Sequence, residues 1–198
     1  MTTSADLKRA KRAVRHRVLA ARDALPASER ERASALIAER VLSLPELERA
    51  STVMAFWSFG SEVDTALLIE ALHIRDVRIA LPRIVDEDLE PRGFIPGITP
   101  VTVTPFGAYE PEGPEAIDPS AIDVVLTPGV AFDPSGRRVG YGGGFYDRFF
   151  PRTRPDATRL GIAFDVQLID EDLPGGHFDL GLHGVVTESG VVRFRRLG

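Results

Sequence analysis

The segment Pro128-Gly-Val-Ala-Phe-Asp-Pro-Ser-Gly-Arg-Arg-Val-Gly-Tyr-Gly-Gly-Gly-Phe-Tyr-Asp147 concentrates residue types that handle anions. Gly140, Gly142, Gly143 and Gly144 free the backbone to turn its N–H groups inward, and Arg137 and Arg138 add positive charge. A glycine loop running into a helix N-terminus makes a phosphate cradle, because donors and the helix dipole point at the anion. Asp147, just inside a helix expected over about residues 143–150, is placed to hold a magnesium ion bridging phosphates. The segment is not a Walker loop, since no Gly-Lys-Ser/Thr follows. Nor does it occupy the first strand-to-helix turn, where a Rossmann fingerprint belongs. Glycine runs are also flexible turns, so taken alone the segment reads equally as a phosphate site or a bland loop.

Glu62-Val-Asp-Thr65 is the second chemical feature. Asp64 or Thr65 is explained as a helix cap. Glu62 is not, and at the end of a buried strand its carboxylate could accept hydrogen bonds from a donor-rich heterocycle. The third is His177-Phe-Asp179, where Asp179 is either a second carboxylate for metal or nucleotide or an ordinary turn residue. His177 and His183 lack a metal-ligand spacing, His16 and His73 lie on expected helices, and no Ser–His–Asp arrangement stands out.

Charge is unevenly distributed. The net charge is −5, yet residues 1–25 carry Lys8, Arg9, Lys11, Arg12, Arg15, Arg17 and Arg22 against Asp6 and Asp23. Such a segment either meets an anionic ligand or forms a solvated helix face. Lys8 and Lys11 are the only lysines among 24 basic residues, and a compact ammonium on a flexible stem suits a phosphate.

The elements that must position these residues follow from periodicity. Val14, Val18, Ala21 and Leu25 recur at helical spacing and predict a helix over Asp6 to Leu25, ended by Pro26. At ~100° per residue, Lys8, Lys11, Arg15 and Arg22 fall within a sector of roughly 60° beside that apolar stripe, at the edge of a cleft. Arg9, Arg12 and Arg17 point elsewhere. Ser28 with Glu31 predicts a capping box for a second helix, ending near Leu44. Strands are expected at Thr52 to Trp57, Val77 to Leu81 (closed by Pro82), Ile122 to Thr127 and Arg159 to Phe164, with short ones at Val185-Val186 and Val191 to Phe194. Residues 83–120 read as a hairpin or irregular loops over one face, with a strand-like piece at Val101 to Thr104. Alternating strands and helices predict a single α/β domain over 1–198 with a largely parallel central sheet. Ligands then sit at the carboxyl ends of the strands, near Trp57 to Glu62, Pro82 and Pro128 onward.

Composition sets the outer bounds. The chain of 198 residues suits one core, and no apolar run approaches the ~20 residues of a membrane helix. With no cysteine, thiol catalysis, disulfides and zinc–thiolate sites are excluded. The acidic balance argues against general nucleic-acid binding. A cytoplasmic monomer acting on small molecules, away from membranes, is the expectation.

Taken together, these segments resemble the 5-formyltetrahydrofolate cyclo-ligase family. The resemblance rests on Pro128-Gly129, Phe132-Asp133, Gly136, Arg138-Val-Gly140 and Gly142-Gly-Gly-Phe-Tyr-Asp-Arg148, which follow the family's long glycine signature. Lys11-x-x-x-Arg15 with Leu19, Arg22 and Leu25 matches its first helix, and Glu62-Val-Asp-Thr65 its third motif. Val139 replaces a leucine, Phe145 a tyrosine, Gly143 a lysine of some members and His183 a frequent aspartate.

The resemblance implies a fold like that of ribose-phosphate isomerases and CoA transferases. It also implies ATP-dependent closure of 5-formyltetrahydrofolate to 5,10-methenyltetrahydrofolate through a phosphorylated formyl group. Lys11, Arg15 and the Arg138, Val139, Gly140, Tyr141, Gly142, Gly143, Gly144, Phe145, Tyr146 run would bind ATP. Tyr141 to Phe145 would also meet the folate, with Trp57 and Glu62. Asp147 and Asp179 would hold Mg2+. The rival readings are a folate- or nucleotide-binding regulator without turnover and a sugar-phosphate isomerase that needs no ATP.

Overall fold

The computed structural model describes residues 3–104, 107–113, 115–174 and 181–194. In chain order the elements are α1 (Ser4–Asp23), α2 (Ala27–Leu42), α3 (Pro45–Glu48), β1 (Thr52–Met54), α4 (Ala66–Ile74), β2 (Arg78–Val85), β3 (Asp88–Phe94), β4 (Val101–Val103), β5 (Tyr109–Pro111), β6 (Val124–Thr127), β7 (Ala131–Phe132), β8 (Arg138–Val139), α5 (Phe145–Phe149), β9 (Thr158–Ile162), β10 (Gly184–Val186) and β11 (Val191–Arg193). The central sheet has the order β11-β10-β9-β6-β1-β2-β3. Strands β10, β9, β6, β1 and β2 run parallel, and the two edges are antiparallel.

The centres of the inner strands are apolar and buried, as expected where both faces are covered. Val53, Val124 and Leu126 pack with Ile37 and Val41 of α2 and Leu68 and Leu72 of α4. Met54 and Val125, one residue out of phase, point to the other face and join Phe149 and Phe150 around α5. The strand period of two thus splits the core into two layers. Helix α1 belongs to neither. Its Val18 joins Val130, Ala131, Val139 and Leu173 in a third cluster over the β7–β8 hairpin.

From β1 the chain moves through α4 to β2 on one side, whereas β6 leads to β9 on the other. The strand order therefore reverses between β1 and β6, and a crevice opens at their carboxyl ends.

Several local expectations are corrected. Ser28 and Glu31 form no capping box; α2 begins behind Pro26 with no side-chain cap, while Thr3 and Asp6 cap α1 reciprocally. Ala21, expected on the apolar stripe, is exposed. Pro82 does not end its strand, because it lies opposite Pro91, where neither residue is asked for a ladder N–H. Strand β1 stops at Met54, leaving residues 55–65 free to line the crevice, and α5 spans only Phe145–Phe149. The hairpin expected over residues 83–120 is found twice, as β2–β3, which starts earlier at Arg78, and as β4–β5.

Candidate active site

Helix α1 lies across the glycine-rich segment and is tied to it at two points. Arg15 Nε donates to the Gly140 carbonyl at 2.8 Å. One and a half to two turns later, Arg22 Nη2 donates to the Tyr141 hydroxyl at 3.1 Å. Lys11 is partly buried on the same helix, one turn before Arg15, whereas Lys8 is exposed. Gly142 and Gly144 adopt φ of 115° and 68°, values an L side chain resists, so the chain can wrap closely around these arginines. A Cβ on Gly142 would sit 3.5 Å from Arg15 Nη2. The loop is thus folded against cations, as a phosphate site requires.

Glu62 approaches from the β1 side. It is 9% exposed. Its Oε1 accepts from the Tyr141 hydroxyl at 2.8 Å and its Oε2 from the Phe59 N–H at 3.1 Å. Burial pushes its carboxyl above the ordinary value, opposed by those two hydrogen bonds and by the Arg22 charge. Burial and the neighbouring Glu62 charge push the Tyr141 hydroxyl up as well, so that tyrosine stays protonated. The two segments singled out from the sequence are therefore joined by a hydrogen bond, with Arg22 behind it.

Arg138 and Asp147 form a third group. Arg138 Nη2 donates to Asp147 Oδ1 at 2.9 Å, and its guanidinium lies over the rings of Tyr146 and Phe150. Among the described residues, Arg138 Nε, the Tyr146 hydroxyl and Arg22 Nη1 are buried donors without acceptors. Buried donors are ordinarily satisfied. Three orphans on three residues of this region fit a site that receives an anionic or oxygen-rich ligand. Asp147 remains half-buried at the mouth. Asp179 lies outside the described residues.

Next to Glu62, a cavity of about 410 Å³ opens between the start of α2 and the β1–α4 loop, lined by Arg30, Ser34, Trp57, Phe59, Glu62 and Asp64 among others. Trp57 is held there edge-on to Phe94, with ring centroids 5.4 Å apart, and tilted against Tyr109. The volume falls in the range of small-molecule sites, and its lining mixes aromatic walls with a few polar groups.

The departures from the family signature have structural readings. Val139 is a core residue beneath α1, and Phe145 lies under the Arg148 guanidinium. His183 Nδ1 accepts from the Arg159 N–H at 3.0 Å, a structural role.

Three residues have supporting roles that the sequence reading did not assign to them. Asp133, 1% exposed, accepts from the Ser135 N–H and hydroxyl, the Arg137 N–H and, 40 residues away, the Leu173 N–H. It sets the turn that returns the chain to Arg138. Gln167 donates to the Gly129 and Val130 carbonyls and accepts from the Phe164 N–H, fixing the exit from β6. Arg22 matched the first-helix pattern, but its place between two loops depends on residues far away in sequence.

Comparison with known proteins gives the family and the fold. The 5-formyltetrahydrofolate cyclo-ligase family model matches residues 7–188, which include most of α1, both loops and the entire parallel part of the sheet. The chain belongs to that enzyme family. It is 33% identical over 181 residues to the 5-formyltetrahydrofolate cyclo-ligase of Escherichia coli K12, covering 86% of this chain and 96% of the relative. It is 30% identical over 169 residues to that of Haemophilus influenzae, covering 82% and 89%. The structure of the Aquifex aeolicus 5,10-methenyltetrahydrofolate synthetase superposes with a TM-score of 0.82 at 31% identity, covering 93% of both chains. That of Mycoplasma pneumoniae, 22% identical with a TM-score of 0.74, covers 90% of this chain and 98% of the other and shares the fold. The fold class and enzyme class expected from the signature are thus both found. No helix among the described residues is long and apolar enough to cross a membrane.

Proposed function

We propose that this chain converts 5-formyltetrahydrofolate to 5,10-methenyltetrahydrofolate with cleavage of ATP to ADP and phosphate. The observation that carries the reading is the Tyr141–Glu62 hydrogen bond, which brings the glycine loop and the pocket carboxylate to one place in a chain of this family. The formyl oxygen attacks the γ-phosphorus, the bond to the β-phosphate oxygen breaks, and ADP leaves. The nitrogen at position 10 then attacks the activated carbon and gives up its proton. The former formyl oxygen departs with phosphate.

No protein nucleophile is needed; the chain's task is alignment and charge stabilisation. Lys11, Arg15 and Arg138 carry the charge facing the phosphates, and the N–H groups of residues 138–146 hold them. Glu62 accepts hydrogen bonds from the pterin, and Trp57 walls the pocket. Magnesium usually takes one or two carboxylates, phosphate oxygens and water, so a cage of three acidic residues is not required. Asp147, half-buried beside Arg138, fits that role, with Asp179 as its candidate companion. Magnesium, when bound, neutralises phosphate charge. We expect a cytoplasmic monomer, which cell fractionation and sedimentation would test.

Mixing the protein with 5-formyltetrahydrofolate and Mg-ATP should raise the methenyl-folate absorbance, and an ATP-free control should stay flat. Tight folate binding without product would favour a non-catalytic regulator. Absence of both would overturn the reading.

A further inference from the structure

Arg22 is 3% exposed. Arginine is rarely this buried without a carboxylate partner. Here the polar contacts are hydroxyls: Nε donates to Ser61 Oγ at 2.9 Å and Nη2 to the Tyr141 hydroxyl at 3.1 Å, while Nη1 has no acceptor among the described residues. Ser61 is in turn held by Asp23. One guanidinium from α1 thus touches the β1–α4 loop through Ser61 and the glycine loop through Tyr141.

The chemistry of the donors fixes the direction of the chain. A guanidinium can only donate. The Tyr141 oxygen accepts from Arg22, so its single proton is left for Glu62, which must accept it. Without Arg22 the same pair could reverse, with a protonated Glu62 donating to Tyr141. We propose that Arg22 is a positioning residue: it holds the Tyr141 hydroxyl on Glu62, keeping Glu62 an acceptor and the two ligand loops in register. This rests on the folate and ATP roles proposed above.

The groups around Glu62 make Arg22 its main cationic support. Tyr141 and the Phe59 N–H bond it directly. Arg30, Glu31 and Asp64 line the same cavity, and Tyr146 of α5 lies within its electrostatic reach. Arg30 is committed to the Leu25 carbonyl. Loss of Arg22 therefore moves Glu62 toward its protonated form, which cannot accept from a donor-rich heterocycle on both oxygens.

The test has two arms. In hydrogen exchange on the ligand-free protein, Arg22→Gln should speed exchange at residues 140–144 by about tenfold or more while β6 keeps its protection. In steady-state kinetics, KM for 5-formyltetrahydrofolate in Arg22→Gln should rise by about tenfold per unit as pH falls below its shifted Glu62 titration, and approach the wild-type value on the alkaline side. Arg22→Lys keeps the charge but not the two-armed fork, so it should restore the pH profile and leave the loop loose. Wild-type exchange together with a wild-type pH profile in Arg22→Gln would overturn the proposal. Should that variant fail to fold, Tyr141→Phe replaces it; Tyr141 is 41% exposed, and unchanged loop exchange there would also overturn the proposal. The exchange arm needs no turnover. A wild-type protein that makes no product defeats the functional reading, while the exchange result still decides the tie.

Discussion

The Tyr141 hydroxyl sits 2.8 Å from Glu62 Oε1, a hydrogen bond between residues 79 positions apart that spans the crevice where the strand order reverses. It joins a loop built to bend to a carboxylate built to stay buried. Burial acts on both partners in the same sense, favouring the neutral form of each and raising both pKa values. The site is thus sensitive to small changes around this bond.

Glu62→Ala should lose roughly ten- to hundredfold in kcat/KM, the range expected when a charge-assisted hydrogen bond to substrate is removed. Steady-state kinetics with a melting curve for each variant checks it; near-normal kinetics with unchanged stability would remove Glu62 from the site. The pH sense is fixed by burial. Its folded-state pKa is raised above 4.5, so protonation, and with it loss of folate affinity, begins at a higher pH than for an ordinary glutamate. The same shift means that the folded state holds the proton more tightly, so the stability it contributes is present in acid and is lost as pH rises through the raised value. Glu62→Gln should flatten that part of the Tm-against-pH curve.

Arg15→Ala removes both a loop tether and a phosphate-facing charge. We expect roughly ten- to hundredfold lower kcat/KM, expressed mainly as weaker ATP binding. Isothermal titration with a non-hydrolysable ATP analogue measures it directly, and equal affinity in the variant would reassign Arg15 to loop support.

Asp147→Asn should raise the magnesium concentration needed for half-maximal rate several-fold while leaving folate binding intact. A magnesium titration beside a folate-binding titration separates the two. Because Arg138 loses its charged partner, a modest drop in stability should accompany the change.

Asp133→Ala should be a stability variant. It leaves the N–H groups of Ser135, Arg137 and Leu173 without their acceptor in a buried setting, at a cost on the order of 2–5 kcal/mol. Chemical denaturation reads this; a loss under ~0.5 kcal/mol would contradict the staple role.

What was legible in the sequence were features whose cause is local. The largely apolar runs of β1 and β6, the proline stop after α1 and the glycines of the 140–144 loop each declare themselves within a few residues. The capping box at Ser28 and Glu31 failed because α2 begins at Ala27 directly behind Pro26, which leaves Ser28 inside the first turn rather than at the N-cap. Pro82 misled because its tolerance depends on what lies opposite, and Pro91 is a partner that only pairing reveals. Arg22 and Asp133 were named in the sequence motifs, but their contacts were not legible for the same reason: Tyr141 and Leu173 lie 119 and 40 residues away. The long signature nevertheless delivered the family, because many fixed positions together carry information that no single contact does.

The placement of α1 across the glycine loop also bears on how the protein is made. Arg15 and Gly140 are separated by 125 residues, so α1 leaves the ribosome well before its counterpart exists. Closing so long a loop is an entropically late event. Until then the apolar stripe around Val18 lacks its partners Val130, Ala131 and Val139, and uncovered apolar surface of that kind favours aggregation. The candidate site therefore assembles late, only after every segment between Arg15 and Gly140 has been made.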